Sequence, residues 1–144
     1  MSASFIMLVD DEIPFVETME KRLKKRKYDV ITANDGQEAL NTLEKNKNVD
    51  VIILDVKMPG MDGIETLKEV KRRIPLAEVI MLTGHATVET AIDGMKQGAY
   101  DYLMKPCDIE QLIEKIEEAS AKKRTHEIKI REARARDILA DRGW

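Results

Sequence analysis

Val49-Asp50-Val51-Ile52-Ile53-Leu54-Asp55 is followed closely by Met58-Pro59-Gly60-Met61-Asp62-Gly63. The first stretch is a β-branched run over residues 49–54 that stops at an acid. The second is rich in Pro, Gly and Asp, so it breaks the pattern and reads as a loop. A continuous apolar strand, with no polar alternation, is buried on both faces, as in the middle of a parallel sheet. Residues 49–54 therefore read as a central strand, with Asp55 at its carboxyl end.

The same grammar extends in both directions. Upstream, residues 5–9 form a buried-strand run cut off by Asp10-Asp11-Glu12. Residues 14–25 carry Phe15, Met19 and Leu23 at four-residue steps, a helix with Pro14 in its first turn. Residues 28–33 read as a second strand, Asn34-Asp35-Gly36 as a turn, and 37–46 as a helix with Ala39, Leu40 and Leu43 inward. Downstream come a helix over 64–73 closed by Pro75, a strand over 78–83 and a helix over 86–96 ended by Gln97-Gly98. Gly94 is a weak point inside that helix. A shorter strand spans 99–104. A last helix begins after Asp108, its N-cap, with Ile109, Leu112, Ile113 and Ile116 inward. Five strand–helix units in regular alternation imply right-handed crossovers and an α/β, doubly wound parallel sheet covered on both faces.

The totals fit one soluble domain. The 144 residues are 43% hydrophobic and 35% charged, with 4% aromatics. A chain of this length can bury a core without staples. Cys107 is the single cysteine, which excludes an intrachain disulfide and a Cys-rich zinc site. The first apolar run is too short for a signal peptide or membrane span, so a cytoplasmic location is expected. Charge divides unevenly. Residues 121–144 hold eight Lys/Arg and four Asp/Glu, a net +4, leaving −7 for the remainder. The division expected is a domain over 1–119 and a charged helical extension or linker over 120–144.

In open parallel sheets, sites form outside the carboxyl ends of the strands. The first strand ends in Asp10-Asp11, the third in Asp55, the fourth in Thr83 and the fifth in Met104-Lys105-Pro106. An acid at a strand end is usually a solvated cap, and none of these residues decides anything alone. Their joint occurrence, in this order, puts three carboxylates, a hydroxyl and an ammonium on one sheet edge. Three neighbouring carboxylates repel one another unless a cation intervenes. Their hard oxygens suit Mg²⁺, and without His or Cys clusters zinc does not fit.

These residues resemble the receiver domain of bacterial response regulators. The motifs are Val9-Asp10-Asp11-Glu12, Leu54-Asp55-Val56-Lys57-Met58-Pro59-Gly60-Met61-Asp62-Gly63, Leu82-Thr83-Gly84 and Tyr102-Leu103-Met104-Lys105-Pro106. They span residue 5 to about 119. The resemblance implies a five-stranded, flavodoxin-like sheet of order 2-1-3-4-5. It implies that Asp55 accepts a phosphoryl group from a histidine kinase or phosphotransfer protein. Asp11, Asp55 and the backbone carbonyl of Lys57 would ligate Mg²⁺, with Asp10 in support. Lys105 would pair with the Asp55 carboxylate and then with the phosphoryl oxygens. Thr83 would hydrogen-bond the phosphoryl group, and Tyr102 would be the switch aromatic turning inward with it. A cis bond before Pro106 is also implied. Lys57 and His85, each two residues past a site residue, would tune hydrolysis, although solvent-exposed loop positions explain both as well.

On this reading the chain is not an enzyme; it assists only its own phosphorylation and dephosphorylation. It would control an output domain or partner that the sequence does not name. A seven-residue frame through residues 109–140 is spoiled by Lys123, His126 and Asp137, so a coiled coil is weak. Pairing of two copies through the fourth and fifth helices, or through the helical tail, is a hypothesis from the resemblance. No direct nucleic-acid contact is expected from a basic tail without a recognition fold or aromatics. Three alternatives compete. A Mg²⁺-dependent phosphohydrolase would want an acid where Lys57 stands. A non-phosphorylated binding module would lack part of the acid–Lys set. A flavin-binding module would want a phosphate-cradling loop where Asp10-Asp11-Glu12 stands.

Overall fold

In the computed structural model, residues 4–58, 60–84 and 87–141 are described. Within them, β1 (Phe5–Val9), β2 (Asp29–Ala33), β3 (Val51–Leu54), β4 (Glu78–Thr83) and β5 (Asp101–Met104) alternate with five helices. These are α1 (Ile13–Lys25), α2 (Gly36–Lys45), α3 (Gly63–Arg73), α4 (Val88–Lys96) and α5 (Ile109–Asp141). All strands are parallel, in the order β2-β1-β3-β4-β5. This is the expected doubly wound sheet.

Successive side chains along a strand point to opposite faces. Met7, Val9, Ile52, Leu54, Val79 and Met81 therefore join one core, with Leu40 and Leu43 of α2 and Leu67 and Val70 of α3. Ile6, Leu8, Val51, Ile53, Ile80 and Leu82 join the other, with Leu23 of α1 and Leu112 and Ile116 of α5. Both faces are covered, which is why the strand sequences read as unbroken apolar runs. Register then places the site. Val9 pairs with Leu54, and the Asp55 N–H donates to the Val9 carbonyl at 2.9 Å, so Asp10 and Asp55 emerge side by side.

Several element ends shift from the sequence reading. Tyr28 precedes β2, and its hydroxyl donates to Glu117 Oε2 at 3.0 Å. Val49 and Asp50 precede β3, yet the Asp50 backbone still donates to the Phe5 carbonyl at 2.9 Å and accepts the Glu78 N–H at 3.1 Å, while its side chain accepts the Phe5 N–H at 2.8 Å. Ala99 and Tyr100 precede β5. Asp35 and Asp62 are N-caps, accepting from Glu38 N and Glu65 N, so α2 and α3 begin at the glycines that follow them. The structure gives Gly94 a use: a Cβ there would collide with Met81 Sδ, so glycine lets α4 lie close on β4.

The helix α5 runs for 33 residues, about 50 Å at ~1.5 Å per residue. It passes residue 120 without a break. Leu112, Ile116, Ala119, Ser120 and Lys123 are buried against the body. Lys123, a spoiler of the heptad seam in the sequence, lies against the base of the sheet with Nζ 2.8 Å from Asp50 Oδ1. Beside it, buried Glu78 at the start of β4 meets Lys122 at 3.3 Å and Lys71 at 3.5 Å. Among the described residues no helix is long and apolar enough to cross a membrane.

Candidate functional site

Asp10 leaves β1 and Asp55 leaves β3, each buried by the flanking helices at 3% and 2% exposure. Asp11, one residue on, is exposed. Each of the three offers a carboxylate oxygen, and these oxygens all lie within 4.8 Å of one another. Asp10 is doubly engaged: Oδ1 accepts the Glu12 N–H at 2.9 Å and Oδ2 accepts Lys105 Nζ at 2.6 Å. Asp55 Oδ1 is buried without a hydrogen-bond partner. A buried, unpartnered carboxylate oxygen is costly and calls for a cation or donor. A cluster of hard oxygens around it fits a divalent cation of the Mg²⁺ type.

Lys105, just beyond β5, reaches across the sheet edge. Its Nζ lies 2.6 Å from Asp10, 2.9 Å from Glu12 Oε1 and 3.9 Å from Asp55 Oδ2, and sits 4.1 Å from the Phe15 ring centroid. The expected pairing with Asp55 is thus the longest of three contacts, because Asp10 and Glu12 approach the ammonium more closely. Burial pushes the Asp10 carboxyl above its ordinary range, and the charge of Asp55 adds to this, against the hydrogen bonds from Lys105 and Glu12 N. Burial opposes the Lys105 charge, but hydrogen bonds to Asp10 and Glu12, with the Asp10 and Asp55 charges, together hold its pKa above the usual lysine value.

Thr83 ends β4, fully buried, and its carbonyl accepts the Lys105 N–H at 2.9 Å. The peptide bond from Lys105 to Pro106 is cis. Tyr102 is half-buried against the core, with its hydroxyl 3.3 Å from Thr90 Oγ1. Thr90 also completes a reciprocal cap with Thr87 at the start of α4. Tyr102 therefore links β5 to the first turn of α4. Lys57 has an exposed side chain beyond Asp55. His85 and the start expected for the fourth helix, Ala86, lie outside the described residues, as does Pro59.

Sequence reading passed over three contributors. Glu12 stood in the acid motif, yet no pattern assigned it to Lys105. Phe15 was read as helix core; it is partly buried and also underlies the ammonium. Gly63 was assigned to the loop; it starts α3, its N–H donates to the Val56 carbonyl at 2.7 Å, and a Cβ there would collide with the Asp55 carbonyl oxygen. It presses the helix onto the backbone that carries Asp55.

The family model for the response regulator receiver domain matches residues 6–117. The chain belongs to this family. The receiver is 40% identical over 123 residues to the transcriptional regulatory protein ZraR of Escherichia coli, which covers 85% of this chain and 27% of that protein. It is 36% identical over 119 residues to the DNA-binding transcriptional regulator NtrC of the same organism, covering 83% and 25%. The chain thus spans about a quarter of the length of these relatives. A solved receiver domain from Clostridium thermocellum superposes with a TM-score of 0.81 at 35% identity, covering 85% of this chain and 98% of that one.

Proposed function

We propose that this receiver takes a phosphoryl group on Asp55 from a phosphohistidine of a histidine kinase or phosphotransfer protein. The reading is carried by buried Asp55 Oδ1, unpartnered at the edge of the sheet beside Asp10 and Asp11, with an ammonium within reach. An Asp55 oxygen attacks phosphorus. The new O–P bond forms as the N–P bond breaks, and the electron pair leaves with the donor imidazole, which takes a proton. Such transfer depends mainly on in-line positioning and on neutralising oxygen charge. Asp11, Asp55 and the Lys57 carbonyl would hold Mg²⁺, supported by Asp10. When bound, that ion neutralises the phosphoryl oxygens. Lys105 adds a second positive charge, and the Thr83 hydroxyl would donate to the transferred group.

The chain is read as a switch and not as a turnover enzyme, because Lys57 stands where a phosphohydrolase would want a second acid. Its phosphorylation would act on α4 through Thr83 and Tyr102, and from there on an output of the transcriptional kind that the relatives' names describe. Exposed Val88, Ile92, Met95 and Met104 offer apolar side chains on α4 and β5 for a second copy. Light scattering with and without beryllofluoride tests that pairing; a monomer in both states would refute it.

The deciding experiment is the intact mass after acetyl phosphate with Mg²⁺ or with EDTA, beside Asp55→Asn. One added phosphoryl group requiring both Mg²⁺ and Asp55 is expected. No adduct, where a known receiver is labelled, together with no beryllofluoride binding, would refute the reading.

A further inference from the structure

The Lys105 ammonium is shared unequally. Asp10 and Glu12 hold it at 2.6 and 2.9 Å, while Asp55 lies at 3.9 Å. The two close partners differ in kind. The Asp10 side chain is 4% exposed and that of Glu12 is 57% exposed. The Glu12 backbone is tied down at both ends: its N–H donates to Asp10 Oδ1 and its carbonyl accepts the Val16 N–H at 3.0 Å, opening α1. The carboxylate is therefore delivered to Lys105 from a rigid base.

We propose that Glu12 is a positioning residue that holds Lys105 in its resting place and is the partner given up when a phosphoryl group forms on Asp55. To follow the phosphoryl oxygens, Lys105 must loosen one close contact. Abandoning Asp10 would leave a buried carboxylate with only the Glu12 N–H as donor. Abandoning Glu12 returns an exposed carboxylate to water at small cost. Phe15 beneath the ammonium favours a short swing within the site over escape to solvent. Glu12 also carries the same sign of charge as the incoming group. Its grip on Lys105 thus favours the resting state over the phosphorylated one. This inference rests on Asp55 being the phosphoacceptor.

The test uses the full 144-residue chain. Beryllofluoride affinity is measured at saturating Mg²⁺, and Mg²⁺ affinity separately, by calorimetry on wild type, Glu12→Gln and Glu17→Gln. Glu17 is exposed on α1 and removes the same charge as a control. Glu12→Gln should bind beryllofluoride about two- to fivefold more tightly, the size of an exposed ion pair, while binding Mg²⁺ no better. Glu17→Gln should match wild type. Unchanged or weaker beryllofluoride binding by Glu12→Gln would overturn the proposal, as would an equal gain in Glu17→Gln. If wild type binds Mg²⁺ but no beryllofluoride, the phosphoacceptor reading itself falls and this one falls with it.

Discussion

Lys123→Met keeps the length and apolar stem of the side chain and removes only its charge. The Lys123 side chain is 8% exposed and that of Asp50 24%, with 2.8 Å between Nζ and Oδ1. Removing one partner of a fully buried pair costs about 3–5 kcal/mol. Asp50 is less buried than that and keeps its bond from Phe5 N. The loss should therefore be nearer that of one charged hydrogen bond, about 1.5–3 kcal/mol. For a chain of this size that lowers Tm by roughly 5–10 °C. Urea unfolding followed by circular dichroism, on Lys123→Met, Asp50→Asn and the double variant, measures the coupling directly. Truncation after residue 119 should destabilise comparably or more, since it also removes Ser120, whose hydroxyl lies 2.6 Å from that of Ser4. Truncation after residue 127 should not. If Lys123→Met costs under about 0.5 kcal/mol and the 119 truncation is as stable as the full chain, the pair is merely solvated charge and the helix past residue 119 is a true extension.

Other outcomes follow from single contacts. Gly63→Ala should destabilise by about 1–3 kcal/mol and slow labelling of Asp55, since the new methyl collides with the Asp55 backbone; urea melts and intact mass check both. Burial and the hydrogen bond to Glu117 push the Tyr28 hydroxyl up to about 12. The unfolded chain ionises it earlier, so stability is full below pH ~10 and is lost as pH rises toward the folded value. Tyr28→Phe should flatten that alkaline loss in melts across the range. Tyr102→Phe should cost under about 1 kcal/mol, because it removes only a hydroxyl 3.3 Å from Thr90. Amide exchange at the start of α4 should nevertheless quicken; unchanged exchange would separate Tyr102 from that helix.

The strands, their order of appearance and the acids at their ends were legible because the code for them is local. Ile52-Ile53-Leu54 could not be half-exposed, and Asp55 had to end the run. The α/β alternation then left few topologies open. Element ends were less legible where a side chain joins in backbone pairing. Asp50, read as part of a strand, keeps its backbone bonds to Phe5 and Glu78, and its side chain in addition accepts from Phe5 N and holds Lys123. Asp35 and Asp62, read as turn residues, are caps. Nothing local distinguishes an aspartate that pairs across 73 residues from one that faces water.

Residue patterns along the chain specify the sheet, its two buried faces and the set Asp10, Asp11, Asp55, Thr83 and Lys105 at one edge. Periodicity and strand ends are properties of neighbours in the chain. The wiring of that set comes from packing in three dimensions. Lys105 sits with Asp10 and Glu12 ahead of Asp55, Gly63 bears on the Asp55 backbone, and Lys123 fastens the long helix to the base. Each of these is set by distances of a few ångströms, between segments far apart in sequence for the two lysines and across eight positions for Gly63. Ion pairs and close contacts depend on such distances and on burial, and neither is written in any short stretch of residues.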